Sequence, residues 1–204
     1  MLDRQARRVL EPSLSRGAAV LDRSWITPDR VTLVGLVLGL GSAAAAAGQL
    51  WPIALLLWLV SRLADGLDGP LARRRGPDDT GAGGFLDITA DFTVYGTTVV
   101  GVAVGVVAGE GASWWPFLLV LLAYYVNGTA FLAFSSLAER SGRTLDDGRS
   151  LSFLGGIAEG TETIAVHALW LVVPGAAEQV AVVWAVVVGV GAIQRVVAGY
   201  RALA

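Results

Sequence analysis

The chain has 204 residues, 54% of them hydrophobic and 16% charged, with a formal net charge of −2 and no cysteine. That length suits one domain, and a mean hydropathy of +0.63 belongs to a membrane protein. The near-neutral balance gives nucleic-acid binding no support, and the lack of cysteine excludes disulfides, zinc–thiolate sites and thiol nucleophiles. All 15 basic residues are arginine, which reads as compositional bias.

The first segment, residues 1–25, carries Arg4, Arg7, Arg8, Arg16 and Arg23 among Leu2, Val9, Leu10, Leu14, Val20 and Leu21. It reads as an interfacial amphipathic helix lying on the membrane, with Pro12 breaking its middle. No apolar run with a small-residue cleavage site follows closely, so it is not a signal peptide. Residues 26–204 then read as one transmembrane domain. Thr27 suits a helix N-cap and Pro28 the first helical position. Hydropathy predicts six spans: Asp29–Ala47, Trp51–Leu67, Phe85–Ala108, Trp115–Leu137, Ser152–Val173 and Gln179–Leu203. The fold class is therefore an all-α membrane protein of six helices with an interfacial N-terminal helix. Gly35, Gly39 and Gly41 in span one, the run Ala43–Ala47, and Gly101 and Gly105 in span three are small residues at helical spacing, suited to close helix approach. Trp51, Trp114 and Trp115 fall at the outer ends of spans, as an aromatic belt would.

Arginines are absent from the connections 48–50, 109–114 and 174–178. They crowd into the N-terminal segment, the loop with Arg73, Arg74 and Arg75, and the loop with Arg140, Arg143 and Arg149. The positive-inside rule puts both termini and these loops in the cytoplasm.

Charges within spans are costly and point to function. Asp65 and Asp68 end span two; Asp87 and Asp91 begin span three. Spacings of three and four put each pair on one helix face. Two such helix ends brought together converge four carboxylates, which repel unless cations sit between them. Hard oxygen ligands suit Mg²⁺ or Mn²⁺ beside a phosphate-bearing substrate. Arg62, one turn before Asp65, is expected to pair with it. Glu159 and Glu162 lie one turn apart in span five, and Arg195 lies at similar depth in span six. They form either a buried ion pair that sets helix register or, with the amide of Asn127, an acceptor pocket. His167 is the single histidine and is expected to be capped, with no assigned role.

The pattern Asp-x2-Asp-Gly-x2-Ala-Arg followed by Gly-x3-Asp-x3-Asp, from Asp65 to Asp91, resembles the signature of the CDP-alcohol phosphotransferase family of integral membrane enzymes. Nine residues separate Arg73 from Gly83, one more than the family usually has, so Gly81 or Gly84 could take the place of Gly83. The loop between is rich in glycine and absorbs an insertion easily. The resemblance implies two Mg²⁺ or Mn²⁺ ions held by Asp65, Asp68, Asp87 and Asp91, with Asp91 also the general base. It implies that Gly69, Ala72 and Gly83 are small to admit nucleotide and phosphates, and that Arg73 neutralises the diphosphate. Thr27-Pro-Asp-Arg-Val-Thr32 is similar to the family's element for the cytidine end of the donor, which makes Asp29 and Thr32 nucleotide contacts. The implied activity is transfer of a phosphatidyl group from a CDP-alcohol, most readily CDP-diacylglycerol, to an acceptor hydroxyl with release of CMP. The implied assembly is a homodimer in the bacterial plasma membrane. The acceptor stays open between glycerol 3-phosphate, inositol phosphate, serine and a lipid hydroxyl. The alternatives are a CDP-aminoalcohol phosphotransferase acting on a diacylglycerol-type acceptor, a relative that binds without turnover and, in another class, a cation transporter. Clustering of the aspartates at one membrane face disfavours transport.

Overall fold

The computed structural model describes residues 2–76, 81–140 and 159–204, with side chains from residue 9 onward. The described residues are helical almost throughout and contain no strand. In chain order the helices are α1 (Leu2–Leu21), α2 (Pro28–Ala47), α3 (Trp51–Arg75), α4 (Ala82–Glu110), α5 (Trp115–Arg140), α6 (Gly160–Val172) and α7 (Ala177–Leu203), with a short 3₁₀ turn at Pro174–Ala176. The start of expected span five, from Ser152, lies outside the described residues, as do Arg143 and Arg149 and the side chains of Arg4, Arg7 and Arg8.

Four helical segments are long and apolar enough to cross a membrane: Pro28–Ala47, Ala82–Glu110, Trp115–Arg140 and Pro174–Leu203. They make this an integral membrane protein. The third helix, α3, has 25 residues, but from its middle onward it carries Arg62, Asp65, Asp68 and three terminal arginines. Helix α6 is described over 13 residues only.

Three local expectations change. Helix α1 runs through Pro12 without a break. One proline deletes one intrahelical bond, and neighbouring turns can carry the helix across it. Helix α3 likewise continues past Leu67 to Arg75, with Pro70 inside it. The whole first half of the aspartate motif is therefore helical. Helix α4 starts at Ala82, three residues before the expected Phe85, after Gly81 in the left-handed region at φ 69°.

Helix α2 lies against both α3 and α4, and the small residues explain how. A Cβ on Gly101 would stand 2.2 Å from the backbone oxygen of Ala43, and one on Gly105 2.2 Å from that of Ala46. A Cβ on Gly39 would meet Val94 at 2.6 Å. Two serines then tie α2 to α3: Ser61 Oγ donates to the Gly35 carbonyl at 2.7 Å, and Ser42 Oγ donates to the Ala54 carbonyl at 2.8 Å. Contact this close places the backbone of α2 beside the functional ends of α3 and α4. Helix α5 pairs with α7, and α6 packs between that pair and α3. Trp58, Val94, Phe117, Trp170 and Trp184 fill the core where the helices meet. Helix α1 seats Ala18 against Val31 and Leu71, with Leu67 beside them. Val9, Leu10 and Val20 on α1 stay exposed.

Candidate active site

The carboxylates gather where the C-terminal part of α3 meets the first turns of α4. Oxygen atoms of Asp65, Asp87 and Asp91 lie within 4.8 Å of one another, each residue partly buried. Asp68 is set apart from this trio. It is 6% exposed and accepts a hydrogen bond from Thr32 Oγ1 at 2.5 Å. The physical reason is angular. A step of three residues turns a helix by about 60° short of a full circle, against about 40° past it for a step of four. Asp68 is thereby swung toward α2, while Asp87 and Asp91 stay aligned.

Arg62 joins the trio from α3. Its Nη1 donates to Asp91 Oδ1 at 2.6 Å and stands 3.6 Å from Asp65 Oδ1. The expected pairing with Asp65 is present, but the shorter contact crosses to α4. Nη2 donates to Ser61 Oγ at 3.1 Å, and Nη1 lies 3.4 Å from the Tyr95 hydroxyl. The guanidinium sits 5.3 Å from the Trp58 ring and 5.2 Å from the Tyr95 ring, within cation–π range. Sequence reasoning left these two rings out, although Trp58 precedes Arg62 by one turn and Tyr95 follows Asp91 by one turn.

The donor set fits a divalent cation. Three hard carboxylates face one guanidinium, so acidic groups outnumber the basic one there. The ligating atoms keep access to solvent, with Asp65 24% and Asp91 30% exposed. Oxygen-only ligation of this kind suits Mg²⁺ or Mn²⁺.

The remaining sequence candidates fall in two places. Around the trio, Gly69, Ala72 and Gly83 are half-buried and Arg73 is exposed. A Cβ on Gly69 would come within 3.4 Å of Arg73 Nη1, so that arginine folds back over the glycine. Asp29 is exposed in the first turn of α2, and Thr27 caps that helix by accepting from the Arg30 amide at 3.2 Å. The second group is Asn127 on α5, Glu162 on α6, Arg195 on α7 and Glu159, which precedes α6 in extended backbone instead of lying on the helix as expected. Arg195 is 7% exposed, feels the charge of Glu159, and lies 5.7 Å from the Phe131 ring.

His167 is fully buried, and one of its two ring nitrogens is capped. Its Nε2 is 2.9 Å from the Tyr124 hydroxyl, which also accepts from Trp184 Nε1 at 2.7 Å. Its ring lies 4.9 Å from those of both Trp58 and Trp170. Through Trp58, Arg62 is thus in contact with an aromatic column that continues to His167 and Trp170.

Residues 25–191 match the family model for CDP-alcohol phosphatidyltransferase. The chain belongs to that family of transferases. It is 39% identical over 179 residues to the inner membrane protein YnjF of Escherichia coli strain K12, covering 85% of this chain and 83% of that one. It is also 39% identical over 100 residues to an archaetidylinositol phosphate synthase of Methanothermobacter thermautotrophicus, covering 48% and 47% of the two chains. Among solved structures, the phosphatidylinositol phosphate synthase of Mycobacterium tuberculosis with CDP-DAG bound has the same fold. Its TM-score is 0.73 at 22% identity, covering 92% of this chain and 93% of that one. The same enzyme in complex with manganese and citrate gives a TM-score of 0.72.

Proposed function

We propose that this CDP-alcohol phosphatidyltransferase moves a phosphatidyl group from CDP-diacylglycerol to an acceptor hydroxyl and releases CMP, as a step of phospholipid synthesis. The observation that carries the reading is the convergence of Asp65, Asp87 and Asp91 within 4.8 Å at one end of the helix pair that bears the whole motif. These three residues would hold Mg²⁺ or Mn²⁺; the family pattern adds a second ion and Asp68, which Thr32 holds apart from the trio. Bound there, divalent cations neutralise the diphosphate and stabilise the leaving CMP.

The chain's own residues account for the rest. Thr32 fixes Asp68, and with Asp29 it stands at the start of α2, where the nucleotide end of the donor would lie. Gly69, Ala72 and Gly83 leave the backbone open to the phosphates, and Arg73 on exposed α3 can swing onto them. Asp91 takes the acceptor's hydroxyl proton while Arg62 holds its other oxygen. The acceptor oxygen then bonds to the β-phosphorus in line with the bond to CMP that breaks, and CMP leaves with that bond's electron pair. A positioned general base is worth roughly 10²–10⁴-fold in such a step. Asn127, Glu159, Glu162 and Arg195 would line the acceptor side.

An apolar groove supports a lipid donor. It is open, offers about 630 Å³ and is lined by Leu21, Trp25, Val34, Leu63, Leu67 and Arg30. Ala64 and Leu67 of this groove lie on α3 at the level of Asp65 and Asp68, so acyl chains there would keep the headgroup at that end of the helix. Six spans, an interfacial α1, a cytoplasmic site, a bacterial plasma membrane and a homodimer complete the proposal.

The test is CMP release by the purified chain in detergent, with CDP-diacylglycerol, Mn²⁺ or Mg²⁺, and a panel of acceptors. Release with one acceptor, lost in Asp91→Asn, is the expected result. Release that survives Asp91→Asn would remove the base from this mechanism. Failure with every acceptor, while a CDP-aminoalcohol and diacylglycerol react, would favour the other donor class.

A further inference from the structure

Arg62 places a fixed cation inside the carboxylate cluster. It is 6% exposed in its side chain and bonds Asp91 Oδ1 at 2.6 Å, with Asp65 Oδ1 at 3.6 Å. Flexible surface arginines wander, but this one is held from behind by Ser61 Oγ, the Tyr95 hydroxyl and two aromatic faces. A guanidinium in that position has two consequences for an ion arriving at the trio. It occupies an oxygen of Asp91 that the ion could share, and it sets a like charge beside the ion. Without an ion, it offsets the repulsion that would spread Asp65 and Asp91 apart.

We propose that Arg62 is a built-in counter-cation of the cluster, a positioning residue that keeps Asp65 and Asp91 together when no ion is bound and weakens divalent-ion binding by competing for Asp91. This rests on the reading of Asp65, Asp87 and Asp91 as metal ligands.

The experiment titrates Mn²⁺ into the full chain in detergent and reads free Mn²⁺ by electron paramagnetic resonance. Arg62→Gln is expected to bind Mn²⁺ about tenfold or more tightly than the wild type, because one like charge near the ion is gone. Arg62→Lys keeps the charge and is expected within about threefold of the wild type on the same argument. A melting series gives a second reading. Arg62→Gln melts below the wild type without Mn²⁺ and gains more from a fixed Mn²⁺ concentration, since stabilisation follows the affinity. Where that variant does not fold, Arg62→Gln combined with Asp91→Asn removes both partners of the bond. It is then compared with Asp91→Asn alone and is expected to bind Mn²⁺ several-fold more tightly, the like charge being the remaining difference. Equal or weaker Mn²⁺ binding on loss of Arg62, with an unchanged Mn²⁺-induced shift in melting, overturns the proposal and leaves Arg62 a packing group. Mn²⁺ binding by Arg62→Gln but not by the wild type supports it in its strongest form. No Mn²⁺ binding by any variant overturns the metal reading itself, and this inference with it.

Discussion

Replacing Gly101 by alanine tests the close approach that sets α4, and with it Asp87 and Asp91, beside α2. The added methyl would meet the Ala43 oxygen at 2.2 Å, its carbonyl carbon at 2.8 Å and its Cα at 2.8 Å. All three are backbone atoms, so no side-chain rotation relieves the clash. Reaching ordinary contact at about 3.4 Å requires the helices to part by roughly 1 Å, a shift in the range where overpacking costs about 1–3 kcal/mol. Gly189 on α7 supplies the control, because a Cβ there meets nothing within 4 Å. Alanine is the better helix former by about 0.8–1 kcal/mol, so Gly189→Ala is expected to be neutral or slightly stabilising. The assay is thermal unfolding in one detergent. For a chain of this size, each kcal/mol moves the midpoint by about 2–4 °C, so Gly101→Ala is expected to melt roughly 2–12 °C below the wild type. CMP release should fall with it even below the melting range, because both α4 aspartates move with their helix. Equal midpoints for Gly101→Ala and Gly189→Ala would refute the packing argument.

Other outcomes follow from single contacts. Thr32→Val deletes the hydrogen bond to the Asp68 carboxylate, of a kind worth about 1.5–3 kcal/mol. CMP release should fall about 10- to 100-fold with the fold intact, and unchanged kinetics would detach Thr32 from the site. Asp65→Asn and Asp87→Asn should each abolish Mn²⁺-dependent CMP release, and Mn²⁺ titration would show weakened binding. Chelation should stop the reaction and added Mn²⁺ restore it; turnover in excess chelator would count against the metal reading. Tyr124→Phe strips a shared partner from His167 and Trp184, two buried groups, at about 1–3 kcal/mol each. Its midpoint should drop by several degrees while CMP release per folded molecule is kept, and a selective loss of turnover would give the aromatic column a catalytic part.

Much of the site could be read from the chain alone, for reasons of local geometry and composition. Long apolar runs leave helices as the structure that satisfies the backbone in lipid. On a helix, aspartates four apart stay on one face, and Asp87 and Asp91 do so here. Glycines at helical spacing announced a close contact, and Gly101 and Gly105 make it against Ala43 and Ala46. Other features depended on distance across helices, which spacing cannot encode. Arg62 has Asp65 as its neighbour along the chain, but its short bond is to Asp91, 29 residues on. Asp68 belongs to the motif, yet α2 draws it onto Thr32, 36 residues before it. Pro12 looked like a break but lies within a continuous helix, because neighbouring turns carry a helix across one lost bond. The types of the functional residues and their spacing along each helix were thus set by sequence. Which helix each side chain faces, and so which charges meet, was decided by the packing of α2, α3 and α4.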